Sequence, residues 1–269
     1  MDKKKRFNQI SKDIKSIKIQ GARNIAKAGL NAYNLIPKKK SKQKLLSLRP
    51  TEPMLQKVLD LAEKKQPQTE ILNHFNETQE KINKSVLKLI KNKEVIYTHC
   101  HSTNVTQSLI NAKKKHKNFE VYNTETRPLY QGRKTAKELS KNKIKVTHFI
   151  DSALGIALSK EQGTKKATRV FLGADALTKK GIINKTGSKT IARIAQQEKI
   201  PVYIIADSWK FTKKNLPIEQ REINEVWDKA PKNIKIKNPA FEFVPKKFIT
   251  KIITEFGVLS YNEFLKKVN

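Results

Sequence analysis

Apolar residues recur at helical spacing along the first part of the chain, which contains no run typical of a strand. Positions i, i+3 and i+4 predict helices over 22–35, 51–65 and 68–92. The lysine-rich segment 36–48 is interpreted as a basic connector between the first two helices. Together these segments predict a helical N-terminal domain over residues 1–92.

The pattern changes after residue 92, where short β-rich runs alternate with helix-length segments. We predict strands at 94–98, 119–123, 145–150, 169–172, 202–206 and about 251–254. Helices are predicted at 104–116, 133–142, 152–160, 186–199 and near 261–268. This alternation is typical of βαβ units with right-handed crossovers. The expected fold class is α/β: a helical N-terminal domain followed by a Rossmann-like parallel-sheet domain over residues 93–269.

The composition is strongly basic, with 57 Lys+Arg against 24 Asp+Glu and a net charge of +33. Nucleic acid is nevertheless not the expected partner, because the lysines are spread along the chain without a zinc-finger, KH or RNP pattern. The single cysteine excludes an intramolecular disulfide framework. Neither a membrane span nor a signal-peptide core is evident, so we expect no membrane partner and a cytoplasmic location.

Reactive or anion-binding side chains follow five of the predicted strands. They include His99-Cys100-His101-Ser102, Glu125 with Arg127 and Arg133, Asp151, Gly173-Ala174-Asp175, and Asp207 with Lys210. Ligands of open parallel sheets bind outside the carboxyl ends of the strands. We therefore expect these five strand ends to converge on one site.

Cys100 has two interpretations, since a lone cysteine is commonly a small buried apolar residue. Its position between His99 and His101 favours a reactive thiol, because a nearby cation would lower the thiol pKa. Zinc binding is disfavoured, since neighbouring strand residues point to opposite faces. No metal and no cofactor are expected, because the chain lacks a dinucleotide-binding or P-loop motif after its first strand.

The remaining candidates also have a structural alternative. Asp175 either caps a turn or acts as an acid or base, and we favour the second interpretation. Arg127 and Arg133 either form surface salt bridges with neighbouring glutamates or bind a carboxylate or phosphate, and the scarcity of arginine in this chain favours the second interpretation. Residues 184–188 are typical of a turn into a helix N-terminus, where a phosphate binds readily.

These motifs occur in the order found in a known superfamily. The segments are Tyr97–Ser102, Thr124–Pro128 with Gln131–Arg133, Gly173–Ala176, Asn184–Lys185 and Trp209–Phe211. The chain resembles the superfamily of methylthioribose-1-phosphate isomerase, archaeal ribose-1,5-bisphosphate isomerase and the alpha, beta and delta regulatory subunits of translation initiation factor 2B. It is most similar to ribose-1,5-bisphosphate isomerase, and the likeness covers most of the chain.

The resemblance implies isomerisation of ribose 1,5-bisphosphate to ribulose 1,5-bisphosphate, with Cys100 as the proton acceptor and Asp175 as the proton donor. It also implies a homo-oligomer, either a dimer or a trimer of dimers. Substrate contacts carried over from the family would come from Gln20, Gly21, Ala22, Arg23, Arg49, Ser102, Thr103, Asn104, Asn184, Lys185 and Lys210. Gln20 stands where these isomerases usually have arginine, so one phosphate-binding charge is missing.

Two alternatives remain open. One is a non-catalytic homologue of the initiation factor 2B regulatory subunits, which the short N-terminal domain and Gln20 favour. The other is a methylthioribose-1-phosphate isomerase, whose substrate carries one phosphate. The presence of both Cys100 and Asp175 favours an enzyme, because the family's translation subunits generally lack this pair.

Overall fold

The computed structural model describes residues 2–269. Its N-terminal part contains five helices: α1 (Lys3–Lys15), α2 (Ala22–Leu35), α3 (Lys39–Leu48), α4 (Pro53–Glu63) and α5 (Gln68–Leu89). The prediction of a connector over 36–48 is wrong, because most of that segment forms helix α3. Leu45 of α3 is buried against Phe7 and Ile25, while the lysines of the helix are largely exposed. The density of lysine hides this one-sided apolar pattern in the sequence.

Helix α5 joins the two parts of the molecule. Near its beginning, Ile71 and Phe75 pack with Ala26 and Met54 of the N-terminal helices. Near its end, Val86 belongs to the core beneath the main sheet. The division at residue 92 stays a prediction, since this one helix contributes to the cores on both sides of it.

The second part contains ten strands and five helices within the described residues. The strands are β1 (Glu94–Thr98), β2 (Phe119–Thr124), β3 (Lys145–Phe149), β4 (Arg169–Leu172), β5 (Ala176–Leu177), β6 (Gly181–Lys185), β7 (Val202–Ile205), β8 (Phe241–Pro245), β9 (Lys251–Thr254) and β10 (Gly257–Leu259). The helices are α6 (Thr103–Lys114), α7 (Gln131–Lys141), α8 (Leu154–Leu158), α9 (Ser188–Gln197) and α10 (Tyr261–Val268). None of the helices between residues 2 and 269 is long and apolar enough to cross a membrane.

Seven strands form the main sheet in the order β10-β9-β7-β4-β1-β2-β3, and only the β9–β10 pair is antiparallel. Successive side chains of a strand point to opposite faces. Ile96 accordingly packs in the core with α5 and α6, while Tyr97 packs in the core with α8, α9 and α10. The expected α/β class with N-terminal helices is confirmed.

A second sheet, β5-β6-β8, was not predicted. Its strands are antiparallel, and β6 pairs along its whole length with β8, so that Asn184 lies opposite Glu242 and Lys185 opposite Phe241. Strand β5 has two residues, and β8 lies far from β6 in the chain, so local patterning gives little signal for this sheet. It matters for the site because it carries Asn184 and Lys185.

The order of the main sheet creates a crevice between β1 and β4. From β1 the chain moves outward to β2 and β3, and it then returns to place β4 on the other side of β1. Connections that leave two neighbouring strands in opposite directions open a crevice at their carboxyl ends. Cys100 follows β1 and Asp175 follows β4, so the topology brings both to this crevice.

Candidate active site

One cavity at the carboxyl ends of the main sheet brings together most of the predicted site residues. Two helix N-termini, the loop before α4 and the ends of β1, β4, β6 and β7 contribute to its wall. The predicted residues that line it are Gln20, Gly21, Ala22, Arg23, Arg49, Cys100, Ser102, Thr103, Asn104, Asp175, Asn184, Lys185 and Lys210. Residues more than 150 positions apart in the sequence therefore share one site.

The end of β3 supports the site without forming its wall, which corrects the expectation that all five ends converge, whereas the segment after β2 contributes Leu129, Gln131 and Lys134 to the wall. Asp151, after β3, accepts hydrogen bonds from the backbone N–H groups of Thr126 (2.9 Å) and Arg127 (2.6 Å). Thr126 in turn accepts a hydrogen bond from the Cys100 N–H at 3.0 Å. These two strand ends thus fix the loop on which Cys100 rests.

Arg127 and Arg133 are not among the residues that line the cavity in the described chain. The Arg127 guanidinium donates to the Tyr130 hydroxyl at 2.7 Å, and Arg133 forms an ion pair with Glu125 at 2.9 Å. Both side chains are exposed at the surface. Arg133 thus forms the surface salt bridge of the alternative interpretation, whereas Arg127 binds neutral oxygens, and neither forms the phosphate clamp that the sequence favoured.

The backbone of Cys100 is held in an unusual conformation. Its φ is 63°, in the left-handed region that residues other than glycine rarely adopt. Both backbone polar groups are bound by threonine, since the N–H donates to Thr126 Oγ1 and the carbonyl accepts from Thr135 Oγ1 at 2.8 Å. Such strained residues concentrate at functional sites, where surrounding contacts enforce them. The contacts hold Cys100 at the cavity wall.

The histidines beside Cys100 do not supply the expected cation. His99 Nε2 lies 3.0 Å from the Thr186 carbonyl and Nδ1 lies 2.9 Å from Thr124 Oγ1, and burial lowers the His99 pKa. Burial likewise lowers the His101 pKa to about 4. Both rings are therefore neutral at pH 7. Burial raises the pKa of the Cys100 thiol to about 11, opposed by the Lys185 ammonium. The predicted lowering of the thiol pKa by histidine is wrong.

Asp175 is a carboxyl group whose pKa is shifted by its surroundings. Burial raises its pKa above the ordinary value, against the opposing effects of Lys210 and Lys185. Its backbone N–H donates to the Ile183 carbonyl at 2.9 Å, which anchors the loop between the two sheets. Lys210 is buried and donates from Nζ to the Ala174 carbonyl at 2.5 Å, so a fixed ammonium stands beside the loop that carries Asp175.

Helix N-termini supply the cavity with anion-binding N–H groups, although not at the helix predicted. The first turn of α9 is already bound, because Glu242 Oε1 accepts from the N–H groups of Gly187 (2.6 Å) and Lys189 (2.9 Å). A phosphate site at that helix is therefore wrong. Helix α2 instead begins at the cavity behind Gly21, whose φ is 83° and which has no side-chain cap. Helix α6 begins there behind Ser102.

The sequence interpretation missed four polar residues of the cavity wall. They are Asn24, Glu52, Lys134 and Arg221. Asp207, which was expected at the site, and Gln131, which was noted only as part of the Gln-Gly-Arg motif, also line the cavity. Two oxygens of the wall are buried without a hydrogen-bond partner among residues 2–269: Glu52 Oε2 and Gln131 Oε1. A signal existed for Glu52, which follows Arg49-Pro50-Thr51. Glu52 was interpreted only as part of a helix start.

One cluster of metal-type ligands borders the site. His74, Asp207 and Glu255 place potential ligand atoms within 4.8 Å of one another. These atoms are already hydrogen bonded: His74 Nε2 contacts Asp207 Oδ1 at 3.0 Å, and Glu255 accepts from the Ser208 N–H at 3.1 Å. The Trp209 ring stacks on His74 at 3.5 Å. The arrangement is a hydrogen-bond network that joins α5 to the turn carrying Lys210.

Comparison with known sequences identifies the protein family of this chain. The sequence profile of the Initiation factor 2 subunit family matches residues 39–261, which is most of the chain and includes Arg49, Cys100, Asp175, Lys185 and Lys210. The chain belongs to the Initiation factor 2 subunit family. Helices α1 and α2 lie before the matched residues, and Gly21 at the start of α2 lines the cavity.

Members of the Initiation factor 2 subunit family include enzymes and translation factors. Ribose 1,5-bisphosphate isomerase of Archaeoglobus fulgidus is 31% identical over 93% of this chain and 88% of the relative. Ribose 1,5-bisphosphate isomerase of Methanocaldococcus jannaschii is 33% identical over 91% of this chain and 89% of the relative. Among solved structures, the translation initiation factor eIF-2B of Pyrococcus horikoshii OT3 has a TM-score of 0.83 at 25% identity, covering 95% of this chain and 97% of that chain.

Proposed function

We propose that this chain isomerises ribose 1,5-bisphosphate to ribulose 1,5-bisphosphate, with Cys100 as the proton acceptor and Asp175 as the proton donor. One observation carries the proposal: a partly buried thiol and a partly buried carboxyl group with a raised pKa line one cavity, which is also lined by lysine, arginine and two helix N-termini. The cavity offers general acid–base groups for the sugar and cationic or N–H donors for its phosphates.

The class of enzyme rests on the curated relatives. Both relatives described above are named ribose 1,5-bisphosphate isomerase, and each alignment spans about nine-tenths of this chain. The chain is accordingly an aldose–ketose isomerase of a sugar phosphate, as the sequence predicted. The identity of the substrate and the roles of Cys100 and Asp175 are the proposal.

The proposed reaction moves protons without a net change in the enzyme. The Asp175 carboxyl protonates the ring oxygen as the C1–ring oxygen bond breaks, which opens the sugar. The Cys100 thiolate then takes the C2 proton, and the electrons of that C–H bond form a C1–C2 double bond. Finally the C2 hydroxyl returns a proton to Asp175, the thiol protonates C1, and a ketone remains at C2.

The charge distribution supports a substrate with anionic groups. Lys185 and Lys210 are both buried in the wall, and their charges act on Asp175. The α2 and α6 N-termini present backbone N–H groups from two further directions, and helix N-termini favour anions by their dipoles. Two such N-termini in one cavity suit a bisphosphate.

The thiol pKa of about 11 determines the expected pH dependence. The reactive form, thiolate with protonated carboxyl, is a minor species beside the form with thiol and ionised carboxylate. Its fraction rises tenfold per pH unit until the carboxyl ionises and then stays level up to the thiol pKa. We therefore expect kcat/KM to rise with pH, bend at the carboxyl pKa and reach a plateau above it.

The test is direct assay of pure protein for conversion of ribose 1,5-bisphosphate to ribulose 1,5-bisphosphate. C100S and D175N should each lower kcat by roughly 100-fold or more, since a general acid or base contributes about that much. R133A is the matched surface control and should stay within about twofold, because Arg133 pairs with Glu125 outside the cavity. Wild-type protein without turnover, or C100S with unchanged turnover, would contradict the proposal.

A second candidate substrate, a sugar with one phosphate such as methylthioribose 1-phosphate, follows from the wall around Arg49. Its Nη2 lies 3.7 Å from Glu52 Oε1 and its Nε lies 3.4 Å from Glu219 Oε2, so two carboxyl groups surround this one cation. Position 20 offers no charge. The ratio of kcat/KM for methylthioribose 1-phosphate to that for ribose 1,5-bisphosphate decides between them.

Self-association is also proposed, as a dimer or a trimer of dimers. Exposed apolar side chains, including Ile150, Ile223 and Trp227, are available for contacts between copies. Light scattering during size-exclusion chromatography measures the mass directly. A mass equal to the 30.9 kDa chain across micromolar concentrations would contradict self-association.

A further inference from the structure

Glu52 is a buried carboxyl group in the cavity wall for which the reaction described above gives no role. It is 4% exposed and lies immediately before α4, at the position that usually caps a helix. Its side chain makes no capping hydrogen bond, and Pro53 occupies the first helical position. Glu52 therefore lacks the usual structural reason for an acidic residue at a helix N-terminus.

The partners of Glu52 do not compensate an ionised carboxylate. Oε1 lies 3.7 Å from Arg49 Nη2, beyond hydrogen-bond distance, and Oε2 has no hydrogen-bond partner among residues 2–269. Arg49 is itself shared with Glu219. Burying a carboxylate without hydrogen bonds is costly, and such a group takes up a proton instead.

The charged groups facing Glu52 come from four elements of the site. They are Arg49 at the end of α3, Asp175 after β4, Lys210 after β7, and Glu219 in the segment between β7 and β8. Burial and the Asp175 carboxylate raise the Glu52 pKa to about 8, against the opposing effects of Arg49 and Lys210. The Asp175 carboxylate of the same cavity thus acts on Glu52.

We propose that Glu52 is a second proton-carrying carboxyl group of the site and shares one proton with Asp175 during isomerisation. This inference rests on the proposed function. When the pair holds one proton, its protonated member can donate that proton to the ring oxygen. Its ionised member can accept the proton of the C2 hydroxyl. The C2 hydrogen still moves through Cys100 to C1. The pair holds one proton before and after turnover, so the cycle needs no external acid or base.

The test compares E52Q with E219Q in the full-length protein. E52Q removes the titrating group from the cavity wall, whereas E219Q removes the other carboxyl group beside Arg49, one that does not line the cavity within the described chain. In wild type, the bend of kcat/KM should lie near pH 8, the Glu52 pKa. In E52Q it should move to the pKa of Asp175 alone, and the plateau should change by about tenfold per unit of that shift.

At pH values below both bends, kcat/KM should be the same in E52Q and wild type, because each protein then has a protonated carboxyl group at the site. E219Q should move the bend by less than half as much as E52Q. An unchanged bend in E52Q, or equal changes in the two variants, would overturn the role of Glu52. A purely structural role, acting through Arg49, predicts a change in KM at every pH instead.

Infrared spectroscopy separates this inference from the proposed function. Wild type at pH 7 should show a protonated-carboxyl stretching band whose Glu52 component titrates near pH 8 and is absent from E52Q. This measurement needs no substrate. If ribose 1,5-bisphosphate is not turned over but the band is present, the proposed reaction fails while the protonated Glu52 stands. If the band is missing, the proton-sharing pair is refuted even in an active enzyme.

Discussion

Gly173 lies between β4 and Asp175, and its lack of a side chain leaves space for Ser102 at the start of α6. A Cβ at position 173 would lie 2.6 Å from Ser102 Oγ and 2.7 Å from Ser102 Cβ. Carbon atoms pack at about 3.5–4.0 Å, so the overlap is about 1 Å. G173A should therefore push apart the two loops that carry Ser102 and Asp175.

The magnitude follows from two contributions. Overpacking a tight site costs about 1–3 kcal/mol. Displacing Ser102 weakens its cap on the Val105 N–H, which adds about 1 kcal/mol. At about 2–4 °C per kcal/mol for a chain of this size, Tm should fall by roughly 5–15 °C. A displacement of about 1 Å at a reacting site lowers kcat by roughly 100-fold.

Thermal unfolding and steady-state kinetics of four variants test this reasoning. G155A is the control, since a Cβ there meets nothing within 4 Å, and it should leave Tm unchanged or slightly raised. S102G removes the clashing atoms, and glycine is an acceptable helix cap. Adding G173A to S102G should then cost less than half of what G173A costs alone. A wild-type Tm and kcat for G173A, or full additivity with S102G, would refute the steric argument.

Three further outcomes are expected. E242Q should lower Tm by a few degrees, since the Glu242 carboxylate binds two N–H groups of the first turn of α9, and a Tm equal to wild type would contradict that role. Because the folded-state pKa of Glu52 is raised, its contribution favours folding below the unfolded-state pKa and is lost as pH rises through about 8. Tm of wild type should thus fall relative to E52Q between pH 5 and 9, and parallel curves would contradict it. The net charge of +33 should attract anionic substrates, so kcat/KM in a diffusion-limited regime should decrease with added salt, unlike for an uncharged substrate.

Local patterns predicted the elements of the main sheet closely. Strand β1 begins and ends at the predicted residues, as does β4, and helix α2 matches the predicted range 22–35. These segments bury an apolar face or are buried on both faces, so the spacing of their apolar residues carries the signal. Helix α3 and the small sheet escaped prediction, the first because lysine dominates it and the second because its strands pair across a long separation in sequence.

The candidate site likewise has features that the sequence predicted and features that it did not. The thirteen cavity residues recovered from the sequence came from motifs at strand ends and from the family resemblance. Their electrostatics were not predictable, as His99 shows: its neighbours in sequence indicated a cation, but burial keeps the ring neutral. Glu52 was missed because its role depends on Asp175 and Arg49, which only the folded chain brings near it.

The sequence by itself determined the α/β class, the alternation of the parallel strands with helices, and the residues that follow each of those strands, because these depend on apolar periodicity and on neighbours along the chain. Tertiary structure decided which of those residues meet. It placed Cys100 and Asp175 in the crevice between β1 and β4 and kept Arg133 at the surface. It also brought Glu242 to the first turn of α9, where its carboxylate accepts backbone hydrogen bonds. It also raised the pKa of Cys100, Asp175 and Glu52, since desolvation and charge at a distance arise only when remote segments enclose a group.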